Sequence, residues 1–237
     1  MSDQAMTLPD ALDVIHRNRR AAVVITTMGS ARDWQQFELH PKDLVYMPSS
    51  MGQGPPLGLG IALAQPDQRV IVVNGDGCLL MNLGCLVSIT AQAPKNFTLI
   101  IIDNGVYEVT GNQATIGSSA KRASQQSVDY GDLARAAGFE EVYEFDDVES
   151  WRYEQEIMHE AGPICIVLKT ANRTEDVGAR SPGPGGGLVG VQRARERVVR
   201  RGDLVGGGVT WHVQDGIIVR VPRIVLLVLA GHFARCR

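Results

Sequence analysis

The chain has 237 residues, 44% of them hydrophobic and 21% charged, with a formal net charge of −3. That length holds one large domain or a domain with an extension, and the apolar fraction suffices for a sizeable core. No concentrated basic face occurs before Thr170, so nucleic acid is not an indicated partner.

Four cysteines, Cys78, Cys85, Cys165 and Cys236, show neither Cys-x-x-Cys spacing nor a disulfide framework. Free thiols in a reducing compartment are expected. The N-terminus, Met1-Ser2-Asp3-Gln4, lacks the basic and apolar segments of a secretion signal. The longest apolar stretch, Ile224 to Ala230, falls short of the ~18 residues that a membrane span requires. The expectation is a cytoplasmic protein without a membrane partner.

In chain order, Thr7-Leu8-Pro9 opens a helix with Thr7 as its cap and Leu8, Leu12 and Ile15 on one face. Strands are predicted at Ala21 to Thr26 and Leu44 to Met47. Gly54-Pro55-Pro56 starts a small-residue helix through Ala64, whose glycines permit close packing on a sheet. Strand Val70 to Val73 precedes a helix from Leu79 to about Gln92. Strand Thr98 to Ile102 leads into a Gly-, Thr-, Asn- and Ser-rich loop from Asn104 to Ser119. A helix from Tyr130 to Ala137, strand Glu141 to Phe145, a helix from Val148 to His159 and strand Ile164 to Leu168 complete the pattern. Such alternation predicts an α/β fold, a doubly wound, mainly parallel sheet with helices on both faces. Beyond Thr170 the composition changes. Arg180-Ser181-Pro182-Gly183-Pro184-Gly185-Gly186-Gly187 is a breaker, and no lysine follows Lys169. Two regions result: a domain over 1–175 and an atypical Gly/Arg/Val-rich tail over 176–237.

Two strand exits carry the chemistry. Asn74-Gly75-Asp76-Gly77 follows Val70-Ile71-Val72-Val73, and Asp103-Asn104-Gly105 follows Leu99-Ile100-Ile101-Ile102. Unbroken β-branched runs read as parallel strands buried on both faces. Ligands of open parallel sheets bind beyond the carboxyl ends of the strands. One carboxylate, Asp76, and one amide oxygen, Asn104, therefore reach the same edge. A hard cation carrying a phosphorylated ligand takes such oxygen donors. The bland alternatives are a helix cap for Asp76 and a turn former for Asn104. No Gly-x-Gly-x-x-Gly follows the first strand, so a nucleotide-binding Rossmann protein is not indicated.

Gly75-Asp76-Gly77, twenty-six further residues and then Asn104 resemble the diphosphate-binding motif of thiamine-diphosphate-dependent enzymes. The longer context resembles sulfopyruvate and phosphonopyruvate decarboxylases. It comprises Ser49-Ser50-Met51-Gly52, Leu57 to Ala64, Leu79 to Gly84, Pro94-Lys95-Asn96-Phe97, Asp103 to Tyr107, Thr110 to Gln113 and Gly131 to Phe139. The likeness runs from about the start of the chain to roughly Thr170.

The resemblance implies thiamine diphosphate at Ser49, Met51, Gly75, Asp76, Gly77, Cys78, Asn104, Val106 and Tyr107. It implies Mg2+ on Asp76, the Asn104 side-chain oxygen and the Val106 backbone carbonyl. Met51 reads either as a wedge that bends the cofactor or as core packing. Cys78 stands where relatives carry serine, and a thiol is the weaker donor. Glu108 stands where relatives carry a small residue, and it reads as an acid/base group or as a solvated loop carboxylate. Arg32 either meets an acidic substrate or the cofactor's phosphate region, or pairs with Asp33, and Gln113, with Thr110 and Asn112, lies on a loop expected to close over the site.

The implied activity is decarboxylation of a 2-oxo acid with a second acidic group. The chain is too short for the pyrimidine-binding module that carries an activating glutamate. A partner subunit and a hetero-oligomer are therefore expected. An acetolactate-synthase-like carboligase and a catalytically silent cofactor-binding subunit are the alternatives.

Overall fold

A computed structural model of the chain describes residues 5–46, 51–172, 210–214 and 217–221. The first helix, α1 (Leu8–Asn18), begins where Thr7 accepts the Asp10 backbone N–H at 3.3 Å, with proline in the first turn. This leaves one fewer unpaired donor at the helix start. Its buried face carries Leu8, Leu12 and Ile15. Strand β1 (Val23–Thr27) passes directly into a short helix, α2 (Met28–Trp34). Then follow β2 (Asp43–Tyr46), α3 (Gly54–Ala64), β3 (Val70–Gly75), α4 (Asp76–Leu80) and α5 (Gly84–Gln92). Strand β4 (Phe97–Asp103) leads to a small hairpin of β5 (Val106–Tyr107) and β6 (Gln113–Ala114). The domain closes with α6 (Tyr130–Ala136), β7 (Glu141–Phe145), α7 (Val148–Glu154) and β8 (Ile164–Lys169).

Six strands form one sheet in the order β2-β1-β3-β4-β8-β7, and every neighbouring pair is parallel. The central strands bury both faces, as their unbroken apolar runs require. Alternate residues go to opposite layers. Ile71, Val73, Ile100 and Ile102 join Leu12, Trp34 and Trp151 under α1, α2 and α7. Val70, Val72, Leu99 and Ile101 join Leu59, Leu79, Ile89 and Phe139 under α3 to α6. At the edge, Arg19 and Asp43 form a buried ion pair that ties the end of α1 to β2. Burial lowers the Arg19 guanidinium to about 10.

Three local expectations are corrected. Helix α2 was not predicted, because its seven residues follow the strand without a linker and Met28 enters with φ +47. The single helix expected from Leu79 to Gln92 is two. The break falls at Met81-Asn82-Leu83, where Asn82 Nδ2 donates to the Gly52 carbonyl at 3.0 Å. The helix expected from Val148 to His159 becomes a tighter 3-10 turn from Gln155 onward.

The chain divides into two compact units, Met1–Ser181 and Pro182–Arg237. The boundary expected at 175/176 lies outside the described residues. In the second unit, β9 (Thr210–Gln214) and β10 (Ile217–Val221) pair antiparallel, a hairpin that the sequence reading did not anticipate. Among the described residues no helix is long and apolar enough to cross a membrane.

Candidate active site

The chain runs from β1 outward to β2 and then returns to β3 on the other side of β1. That reversal is the switch point where open α/β sheets leave a crevice beyond their carboxyl ends. Thr27 ends β1 and donates its hydroxyl to Asn74 Oδ1, near the end of β3, at 3.0 Å; both residues are buried. Gly54 keeps α3 against this point, since a Cβ there would lie 2.6 Å from Thr27 Cγ2.

Asp76 is the first residue of α4, one position after Gly75 as N-cap. Its side chain is buried, with 1% of the residue exposed. The carboxylate accepts the Thr115 hydroxyl at 3.3 Å and the backbone N–H groups of Gly77 and Gly105. Burial pushes it up to about 7, and the charge of Asp103 adds to the effect. The hydrogen bonds oppose that rise without cancelling it. Among the described residues no lysine, arginine or histidine pairs with Asp76. A Cβ on Gly75 would meet nothing within 4 Å, whereas one on Gly77 would lie 2.6 Å from the Tyr107 ring. An open glycine face and a ring-covered one therefore flank the carboxylate.

Asn104 leaves the adjacent strand β4, in a register that sets Gly75 opposite Ile102. Its Oδ1 accepts the Val106 N–H at 3.0 Å, an Asx turn, so the turn-forming role is present. The left-handed conformation falls on Gly105, with φ +69. The Asn104 Nδ2 donates to Glu108 Oε1 at 2.9 Å, and an Oδ1 lone pair remains for a further partner. The loop returns so that Thr115 N–H bonds the Gly105 carbonyl at 2.9 Å, bringing the Thr115 hydroxyl under Asp76.

Glu108 corrects an expectation. It is not a solvated loop carboxylate, because only 7% of it is exposed. It sits on a 3-10 turn, Glu108–Thr110, between Asn104 and α2. Burial raises its pKa, and Arg32 and the Asn104 hydrogen bond hold it down. Arg32 Nε lies 3.4 Å from Asp33 Oδ1, and its Nη2 lies 3.9 Å from Glu108 Oε2. Arg32 thus faces two carboxylates of its own chain.

Met51 is 56% exposed with φ +30, so its reading as core packing does not hold. Ser49 lies outside the described residues. Cys78 is buried in α4, and its carbonyl sits 2.7 Å from where a Gly52 Cβ would be. Val106 is half-buried in β5, and Tyr107 covers Gly77. Gln113 turns back on the hairpin, accepting the Thr110 hydroxyl and donating to the Thr110 carbonyl, both at 2.7 Å. Sequence reasoning missed Thr115 and Tyr130. Tyr130 is buried at the start of α6, and burial, then the Asp76 and Asp103 charges, push its phenol up. No local signal marks either residue. Among the described residues no three His, Cys, Asp or Glu side chains converge as a metal cluster. The groups that could hold a cation here are a mixed set of carboxylate, amide and backbone oxygens.

A parallel sheet with a carboxylate and an amide at the carboxyl ends of two neighbouring central strands defines an α/β domain of the doubly wound kind. The family model "Thiamine pyrophosphate enzyme, C-terminal TPP binding domain" matches residues 27–168. The chain belongs to the thiamine pyrophosphate enzymes through this domain. It is 39% identical over 132 residues to the sulfopyruvate decarboxylase subunit beta of Methanothermobacter thermautotrophicus, covering 56% of this chain and 64% of that one. It is 40% identical over 126 residues to the phosphonopyruvate decarboxylase of Streptomyces viridochromogenes, covering 53% of this chain and 29% of that one. The chain thus spans less than two thirds of the length of these relatives. A solved structure of a protein from Mycobacterium smegmatis assigned as a thiamin diphosphate-dependent enzyme has a TM-score of 0.56 at 19% identity. It covers 73% of this chain and 34% of its own, and the likeness is one of fold.

Proposed function

We propose that the chain is the diphosphate-binding subunit of a decarboxylase acting on a 2-oxo acid with a second acidic group, such as sulfopyruvate or phosphonopyruvate. One observation carries the reading: a buried carboxylate with no lysine, arginine or histidine partner among the described residues, and an amide side chain, leave the ends of two adjacent parallel strands. That donor set, next to the open face of Gly75, would suit Mg2+ bound together with a diphosphate. Magnesium is commonly held by one or two carboxylates together with substrate phosphates.

In this reading Asp76, Asn104 Oδ1 and the Val106 carbonyl hold the Mg2+. The backbone around Gly75, Gly77 and Cys78 receives the diphosphate, with Tyr107 over Gly77. By the family resemblance Ser49 and Met51 would contact the cofactor, and Gln113 and Arg32 would serve the substrate. When bound, thiamine diphosphate supplies the electron sink into which a 2-oxo acid loses CO2. The chain contributes orientation, a backbone seat for the phosphates and a buried carboxyl group, Asp76, that would give up its proton as the cation binds.

The complementary pyrimidine-binding module with its activating glutamate belongs to a partner subunit. The name "subunit beta" that relatives carry supports this. So do Leu57 and Leu63 of α3, Met81 and Leu83 between α4 and α5, and Val87 of α5. These large apolar side chains stay exposed on one set of neighbouring elements. The described cysteines, Cys78, Cys85 and Cys165, are buried and in no disulfide, which fits a reducing compartment such as the cytoplasm.

Calorimetry of the full chain with thiamine diphosphate, with and without Mg2+, tests the cofactor reading. Binding should require Mg2+ and vanish in Asp76→Ala. Equal binding by Asp76→Ala would remove the proposal. Product analysis with the co-expressed partner then separates an aldehyde, expected here, from the acyloin that a carboligase would form.

A further inference from the structure

We infer that Glu108 is a positioning residue, which fixes the amide of Asn104 so that its oxygen faces the cation. The inference rests on the proposed Mg2+–thiamine diphosphate site. Glu108 Oε1 accepts from Asn104 Nδ2 at 2.9 Å, while the Val106 N–H donates to Asn104 Oδ1 at 3.0 Å. Together they specify the amide uniquely. Rotating it by half a turn would set an N–H against the Val106 N–H and an oxygen against a carboxylate. Both contacts would then be repulsive.

The far side of the Glu108 carboxylate is held as well. Oε2 lies 3.9 Å from Arg32 Nη2, and a Cβ on Gly29 would fall 2.5 Å from it. Gly29 and Arg32 belong to α2, which leaves β1, whereas Asn104 leaves β4. Glu108 therefore joins two strand ends on either side of β3. Glu108 itself is buried, so the acceptor that it gives the amide is largely kept from bulk water. Outer-shell partners of this kind orient metal-binding groups, and losing one typically weakens metal affinity by about 10- to 100-fold.

The test compares wild type, Glu108→Ala, Glu108→Gln, Gly29→Ala and Asp76→Ala as full chains. Two readouts are used: NMR of the Asn104 side-chain amide without ligand, and calorimetric Mg2+ affinity in the presence of thiamine diphosphate. In Glu108→Ala the Asn104 amide proton should move upfield, and the Mg2+ Kd should rise by about tenfold or more. Glu108→Gln keeps an acceptor oxygen and should recover most of the affinity. Gly29→Ala should move both readouts in the direction of Glu108→Ala, because its methyl displaces Oε2. It serves as the second probe should Glu108→Ala fail to fold. An unshifted Asn104 amide and an unchanged Kd in Glu108→Ala or Gly29→Ala, with Asp76→Ala abolishing binding, overturn the positioning role alone. Unchanged binding in Asp76→Ala overturns the site itself.

Discussion

Asp76→Asn should stabilise the protein in the absence of metal and cofactor, by an amount that grows as pH rises from the ordinary carboxyl value to neutrality. Below the ordinary carboxyl value of 3.8 Asp76 is protonated whether the chain is folded or not, and it adds no pH dependence. Between 3.8 and about 7 the unfolded chain releases a proton that the folded chain keeps. Stability therefore falls as pH rises through this window and levels off above it. At about 1.4 kcal/mol per pH unit the full loss is about 4 kcal/mol. The residue is 1% exposed, so solvent screening takes little from that figure. An amide at the same position carries no charge to desolvate; its oxygen can accept the backbone N–H groups while its NH2 donates to the Thr115 hydroxyl. Urea unfolding without Mg2+ should thus show Asp76→Asn more stable by about 4 kcal/mol at pH 8, shrinking to about 1 kcal/mol at pH 4.5. Added Mg2+ and thiamine diphosphate should raise the stability of wild type and leave the variant unmoved. A variant no more stable than wild type at pH 8, or a gain equal at both pH values, would refute the account of Asp76 as an uncompensated buried charge.

Four other substitutions probe the frame around it. Gly58→Ala places a methyl against Val72 and 3.0 Å from Phe97 Cε2, and should cost about 1–3 kcal/mol in urea unfolding. On the same helix Gly60 faces open space, so Gly60→Ala should stabilise by roughly 0.5–1 kcal/mol. Gly77→Ala drives its Cβ to 2.6 Å from the Tyr107 ring; a drop in Tm and weaker thiamine diphosphate binding by calorimetry are expected together. Asp43→Ala leaves the Arg19 charge buried without its partner and should cost about 3–5 kcal/mol, read from the denaturation midpoint.

Much of the frame can be read along the chain. The strands at 70–73, 98–102 and 164–168 are legible because fully buried parallel strands need unbroken β-branched runs. The glycine- and proline-rich start of α3 marks its true boundary, Gly54 to Ala64. Thr7 marks the start of α1. The short helix α2 escapes such reading, since seven residues carry too few turns for a period to emerge. The split after α4 depends on Asn82 reaching the Gly52 carbonyl, a contact between residues 30 apart.

The sequence by itself determines which donors leave which strands: Asp76 after β3 and Asn104 after β4, at a spacing characteristic of thiamine-diphosphate enzymes. Only the tertiary structure decides what surrounds them. Thr115 comes under Asp76 from 39 positions away, and Glu108 is enclosed by Gly29 and Arg32 of a distant helix. A carboxylate's charge state depends on burial and on neighbours supplied by remote segments. Those are set by the return path of the loop after β4 and by the order of strands in the sheet, neither of which is encoded in any local pattern of residues.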